Sequence, residues 1–179
     1  MWNATALGTG LIFARFSRRV ARIVFSRQAI IAPYRNMSAF EFRIANRRKS
    51  EIIDLEAKVL LSRREPVSGG GTQRRFYELD LERRRVTFFP LAWTIVHPID
   101  ENSPLWKVRP EELAESYAEF LVLLTGTDET FPQMVHSRTS YSWEEVVWRG
   151  GFRNIFERPT ANAPLAIDVS RIHETEPAA

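Results

Sequence analysis

The tightest constraint on how this chain can fold is its apolar alternation. In residues 38–46, Phe40, Phe42 and Ile44 point one way, with Glu41 and Arg43 between them. A side-chain period of two is that of a strand with one buried face. Residues 53–61 repeat the pattern, with Leu55, Ala57, Val59 and Leu61 facing in and Glu56 and Lys58 facing out. Residues 28–33, 76–81, 134–142, 145–148 and 165–169 read as further strands. Residues 88–97 read as a strand apolar on both faces, and 120–124 as a short buried one. Turn chemistry separates them: Pro33-Tyr34-Arg35-Asn36, a basic turn at 46–50, Ser68-Gly69-Gly70-Gly71, and the crossover HPIDENSPLW from His97 to Trp106. Thr125-Gly126-Thr127 reads as one more turn. Residues 110–116 predict one short helix, with Pro110 in its first turn and Glu111 and Glu112 near its positive end. About eight short strands and one brief helix predict an all-β antiparallel sandwich. Residues 174–179 are expected to fray.

Residues 10–27, GLIFARFSRRVARIVFSR, follow a different period. Ile12, Phe16, Val20 and Ile23 recur at helical spacing, and Arg15, Arg19 and Arg22 recur on another face. This is a helix that leaves an apolar environment and meets negative charge. Two readings fit: a surface helix docked on its own domain, or a helix at an anionic membrane surface. Residues 1–14 are apolar, yet no charged region precedes them as in a signal peptide. They are also shorter than the roughly 20 residues a spanning helix needs, so they fit the last turns of one whose start is missing.

Charge is divided along the chain. Residues 1–40 carry +6, residues 41–99 carry +4 and residues 100–179 carry −7, for a net +3. A nucleic-acid binder would be basic across its folded body, so no nucleic-acid partner is expected. There is no cysteine, which excludes disulfides, thiolate metal sites and a cysteine nucleophile. The histidines are His97, His136 and His173, and no two share a metal-binding spacing on one element. His97 lies three residues before Asp100, but no nucleophile motif accompanies it. A side chain that caps the PIDENSP turn by hydrogen bonding is the better reading. The glycine run at 69–71 is not followed by a phosphate-loop lysine. No catalytic residue, metal site or cofactor is expected. Asp128 and Glu129 stand at a strand end; such a pair is ordinarily a solvated loop, but in a symmetric oligomer one acid per subunit would form a ring attractive to cations.

Taken in order, several stretches resemble the cytoplasmic domain of prokaryotic inward-rectifier potassium channels: TGLIFARFSR, ARIVFSRQAII, FRIANRR, LAWTIVHPIDENSPLW, AEFLVLLTGTDET, HSRTSYSWEEVVW and AIDVSRIHETEP. The resemblance covers about residues 5–177. It implies an immunoglobulin-like (E-set) β-sandwich over 27–173, preceded by a short helix and basic linker within 1–26 and followed by a tail at 174–179. It further implies a homotetramer at the cytoplasmic face of the membrane, surrounding an aqueous path for potassium ions. Phe13 matches the bulky gate residue at the inner-helix crossing. Arg15, Arg18, Arg19 and Arg22 match or adjoin linker positions that meet anionic membrane lipids, while Val20 and Ala21 stand where eukaryotic members carry lysines. Glu129 matches an acid lining the cytoplasmic pore. Arg85 stands where strong rectifiers carry another acid, which argues against tight polyamine block. Residues 1–179 contain no outer helix, pore helix or TVGYG-like filter, so on this reading they would not conduct K⁺ alone and would be a truncated gene product, a mis-started frame or an isolated cytoplasmic domain. The rival expectation is a free-standing soluble sandwich that binds a partner without channel activity.

Overall fold

The computed structural model describes residues 23–47, 51–89, 91–129, 133–156 and 166–177. Its strands are β1 (Ile23–Phe25), β2 (Ala29–Tyr34), β3 (Met37–Asn46), β4 (Ile52–Pro66), β5 (Thr72–Glu78), β6 (Arg85–Phe89) and β7 (Ala92–Ile99). After helix α1 (Pro110–Glu115) come β8 (Glu119–Asp128), β9 (Gln133–Ser142), β10 (Val146–Trp148), β11 (Gly150–Phe152) and β12 (Thr175–Pro177). One sheet holds β3 between β7 on one edge and β1 and β2 on the other, with β10 beyond β2. The other runs β5-β4-β8-β9, with β6 beside β5 on the same edge of β4. The pairs are antiparallel except β10 with β2. The two sheets face each other as an immunoglobulin-like β-sandwich.

The alternation read from β3 holds. Phe40, Phe42 and Ile44 are buried between the sheets. Phe40 stacks on Phe120 of β8 at 4.1 Å, and Phe42 meets Tyr141 of β9 at 5.5 Å. Burying such a ring is worth about 1.5–3 kcal/mol, so these contacts set how the sheets oppose. The Tyr141 hydroxyl donates to the Ser26 carbonyl at 3.0 Å, which satisfies its one polar group inside the core.

Several local expectations are corrected. Ile23 belongs to β1, not to a helical stripe, with Ile23, Val24 and Phe25 opposite Asn46, Ala45 and Ile44. The β-branched pair fits the pleated edge offered by β3; residues 10–22 of the predicted helix lie outside the described residues. The apolar run 88–97 is two strands, because β6 pairs with β4 and β7 with β3. The sequence has Pro90 between them, which has no N–H for a ladder. Thr125-Gly126-Thr127 continues β8 instead of turning. In place of a strand at 165–169, Ile167 makes a single bridge to Phe156, and Val169–His173 is a 3-10 helix capped by Asp168. Residues 175–177, expected to fray, form β12 against β11. That pair lies over the first sheet, where the half-buried Arg43 stacks on Phe152 and donates to the Phe152 and Arg153 carbonyls.

The predicted helix is present as α1. The Glu112 carboxylate accepts the Arg109 backbone N–H at 2.8 Å, which closes its first turn and holds that carboxyl below its usual range.

Candidate functional site

The outer face of the second sheet carries the one predicted site residue that the structure describes. Along β8, Phe120, Val122, Leu124 and Asp128 turn inward and are buried, while Leu123 is exposed and Thr125 and Thr127 are half-buried. Glu129 follows directly after the strand and is exposed, its backbone N–H donating to the Glu51 carbonyl at 3.2 Å. Asp128, read from the sequence as a solvated loop acid, is fully buried opposite Ile52. Its inward position follows from the alternation of β8. The two adjacent acids therefore differ in kind, and only Glu129 presents a carboxylate outside.

Beneath that end of β8 the ladder is irregular. Ile53 pairs with Thr127 and Glu56 with Thr125, so β4 holds one residue more than its partner. Asp54 occupies the bulge in a left-handed conformation, φ 52°. Its Oδ1 lies 2.6 Å from Nη2 and 3.2 Å from Nε of Arg85 on β6. Gly126 faces the bulge from β8, and a Cβ there would lie 2.9 Å from Ile52 Cγ2 and 3.1 Å from Leu55 Cδ1. Next to it on the outside, Thr125 Oγ1 is 3.3 Å from His136 Nδ1 on β9. The sequence reading missed Asp54. The signal was present: Ile52 and Leu55 are both apolar, three positions apart, inside an alternating strand.

Phe13, Arg15, Arg18, Arg19 and Arg22 lie outside the described residues. Among the described residues no helix is long and apolar enough to cross a membrane, and no group of three or more His, Asp or Glu is placed to hold a metal ion.

His97 is a structural joint. It is buried in the wall of a hollow of about 220 Å³. Its Nδ1 lies 2.6 Å from the Asp80 carbonyl and its Nε2 2.7 Å from Ser103 Oγ. A carbonyl only accepts, so Nδ1 carries the proton and Nε2 accepts from Ser103. Asp100 does not join it; its carboxylate accepts the Asn102 N–H at 2.9 Å. No dyad forms, and the imidazole secures the PIDENSP turn as the sequence predicts.

The fold defines an immunoglobulin-like sandwich domain. The chain belongs to the inward-rectifier channels: residues 23–179 match the family described as "Inward rectifier potassium channel C-terminal domain". It is 38% identical over 169 residues to the inward rectifier potassium channel Kirbac3.1 of Paramagnetospirillum magnetotacticum, covering 94% of this chain and 57% of that one. It is 32% identical over 162 residues to the human ATP-sensitive inward rectifier potassium channel 8, covering 86% of this chain and 37% of that one. It is 30% identical over 177 residues to the human inward rectifier potassium channel 4, at 93% and 38% coverage. The chain thus spans little more than half the bacterial relative and under two fifths of the human ones. These relatives are ion channels, not enzymes.

Proposed function

We propose that this chain is the cytoplasmic gating and permeation domain of an inward-rectifier potassium channel, working as a homotetramer. Four sandwiches surround an aqueous extension of the ion path, and Glu129 of each subunit lines it. The observation that carries this reading is the exposed Glu129 beside the buried Asp128, within a domain of the channel family. Four such carboxylates around one water-filled vestibule raise the local cation concentration. Residues 1–22, ahead of β1, form the end of the inner helix and its linker, in which Phe13 closes the path by dewetting. Arg15, Arg18, Arg19 and Arg22 meet anionic lipid headgroups on the cytoplasmic leaflet. The sandwich, from β1 onward, couples lipid or ligand state to the inner helices through residues 13–22.

The test grafts residues 10–179 onto the pore of a related channel. Glu129→Gln is expected to lower single-channel K⁺ conductance and weaken block by internal multivalent cations, and Glu129→Lys to do so more strongly. K⁺ over Na⁺ selectivity stays with the filter. The effect shrinks as salt rises, because screening shortens the reach of the ring. Unchanged conductance and block in Glu129→Lys at low salt would remove Glu129 from the path.

A further inference from the structure

Ser26 follows β1 directly, and its pairing with β3 departs from the ordinary ladder. In a hydrogen-bonded antiparallel pair each residue gives its N–H to the other's carbonyl. The register of β1 sets Phe25 opposite Ile44, so the next pair is Ser26 with Arg43. The Ser26 N–H donates to the Arg43 carbonyl at 2.8 Å, but the Arg43 N–H goes to Ser26 Oγ at 3.1 Å. The side chain takes the place of the main-chain acceptor and leaves the Ser26 carbonyl for another donor. That donor is the Tyr141 hydroxyl, 3.0 Å away and 115 residues on, on β9 of the opposite sheet. The Ser26 hydroxyl gives its own proton to the Gln28 carbonyl at 2.8 Å. Ser26 is 3% exposed and Tyr141 1%. Burial pushes the Tyr141 pKa up, so the phenol keeps the proton it donates.

We propose that Ser26 and Tyr141 form a latch across the core, so that β1 cannot leave the edge of β3 without parting the two sheets at this point. Without the latch, β1 is held by three residue pairs on that edge, and short edge pairings open at low cost. With it, the turn after β1 is tied to β9, which pairs with β8 from Glu119 and Ser142 to Asp128 and Gln133. A pull on the residues ahead of β1 is then delivered to the whole sandwich instead of to one edge strand. That use of the latch rests on the proposed gating role; the latch itself is a property of the folded chain.

The experiment is native-state hydrogen exchange of the ¹⁵N-labelled 179-residue chain, read at the Val24 and Ala45 amides. Alternation from Ser26 makes these two the next hydrogen-bonded pair of the β1–β3 ladder. Tyr141→Phe keeps the ring against Phe42 and removes only the hydroxyl. If β1 opens only when the latch breaks, both amides should exchange about two- to ten-fold faster in Tyr141→Phe, the range one hydrogen bond is worth. A hydrogen bond that merely stabilises the fold would speed amides that exchange by global unfolding and leave the fraying of β1 unchanged. Ser26→Ala should speed the same two amides, because the Arg43 N–H then takes the carbonyl from Tyr141. Adding Tyr141→Phe to Ser26→Ala should change their rates by less than about two-fold, since both variants break one contact. The proposal is overturned if Tyr141→Phe leaves Val24 and Ala45 at wild-type rates, or if it acts with full effect on top of Ser26→Ala. These measurements need neither assembly nor a pore, so a failed latch and a failed Glu129 result in the grafted channel remain distinct.

Discussion

His97→Leu tests how the sandwich is held at the end remote from Glu129 in sequence and fold. The substitution keeps most of the buried volume and removes both imidazole hydrogen bonds. Ser103 is 8% exposed and loses the acceptor for its hydroxyl, although its oxygen still accepts the Leu105 N–H at 3.1 Å. A buried unsatisfied polar group costs about 1–3 kcal/mol. The Asp80 carbonyl is nearer the surface and recovers part of its loss from water, so the total is about 2–4 kcal/mol. The same joint has a pH dependence of definite sign. Burial pushes the His97 pKa down, against the Asp80 carbonyl and the Asp100 and Asp80 charges, which act to raise it. The unfolded chain therefore takes up the proton first, and binds more protons than the fold as pH falls below about 6.5. The stability His97 contributes is fully present above that pH and is lost as pH falls through the lowered folded value. Urea unfolding of both chains, followed by tryptophan fluorescence at about pH 7.5 and about pH 5.5, separates the effects. His173, whose pKa burial also lowers, is present in both and cancels. The wild type should lose more stability on acidification than the variant. Equal losses in the two chains, or a cost at the higher pH below about 0.5 kcal/mol, would refute the joint.

The remaining expectations are independent of that one. Gly126→Ala should destabilise the chain by about 1–3 kcal/mol, because the new methyl overlaps Ile52 and Leu55 beneath the bulge; an unchanged urea midpoint would show that the two strands can separate there freely. Charge-neutral replacement of Arg15, Arg18, Arg19 and Arg22 should abolish salt-sensitive binding to anionic vesicles, each arginine supplying about 1 kcal/mol near such a surface. Equal binding of the unmodified chain to zwitterionic vesicles would leave only the apolar residues before Arg15 to explain it.

What could be read in advance depended on whether a feature is local in sequence. The alternation of β3 and β4 was legible because burial of one face writes itself residue by residue, as Phe40, Phe42 and Ile44 show. Helix α1 was legible because Pro110 and Glu112 act within one turn. Strand membership was not: residues 88–97 are apolar throughout, and periodicity contains nothing about which sheet each half joins. Ile23 fitted a helical stripe, and the free edge of β3, about twenty residues on, drew it into a strand instead. Gly126 looked like a turn because glycine usually marks one, whereas here it permits a close approach to Ile52. The same division runs through the site. Glu129 was singled out through resemblance, because Thr125-Gly126-Thr127 read as a turn and so hid the alternation of β8 that separates it from Asp128. One position of alternation separates a carboxylate that faces water from one enclosed by the core. The Asp54–Arg85 pair was further out of reach: its partners are 31 residues apart and meet only because one added residue in β4 displaces the charge from its register. A bulge is thus the cheapest way for a sheet to choose its surface charge. It changes which acid an arginine neutralises through register alone, and a charge count along the chain carries no register.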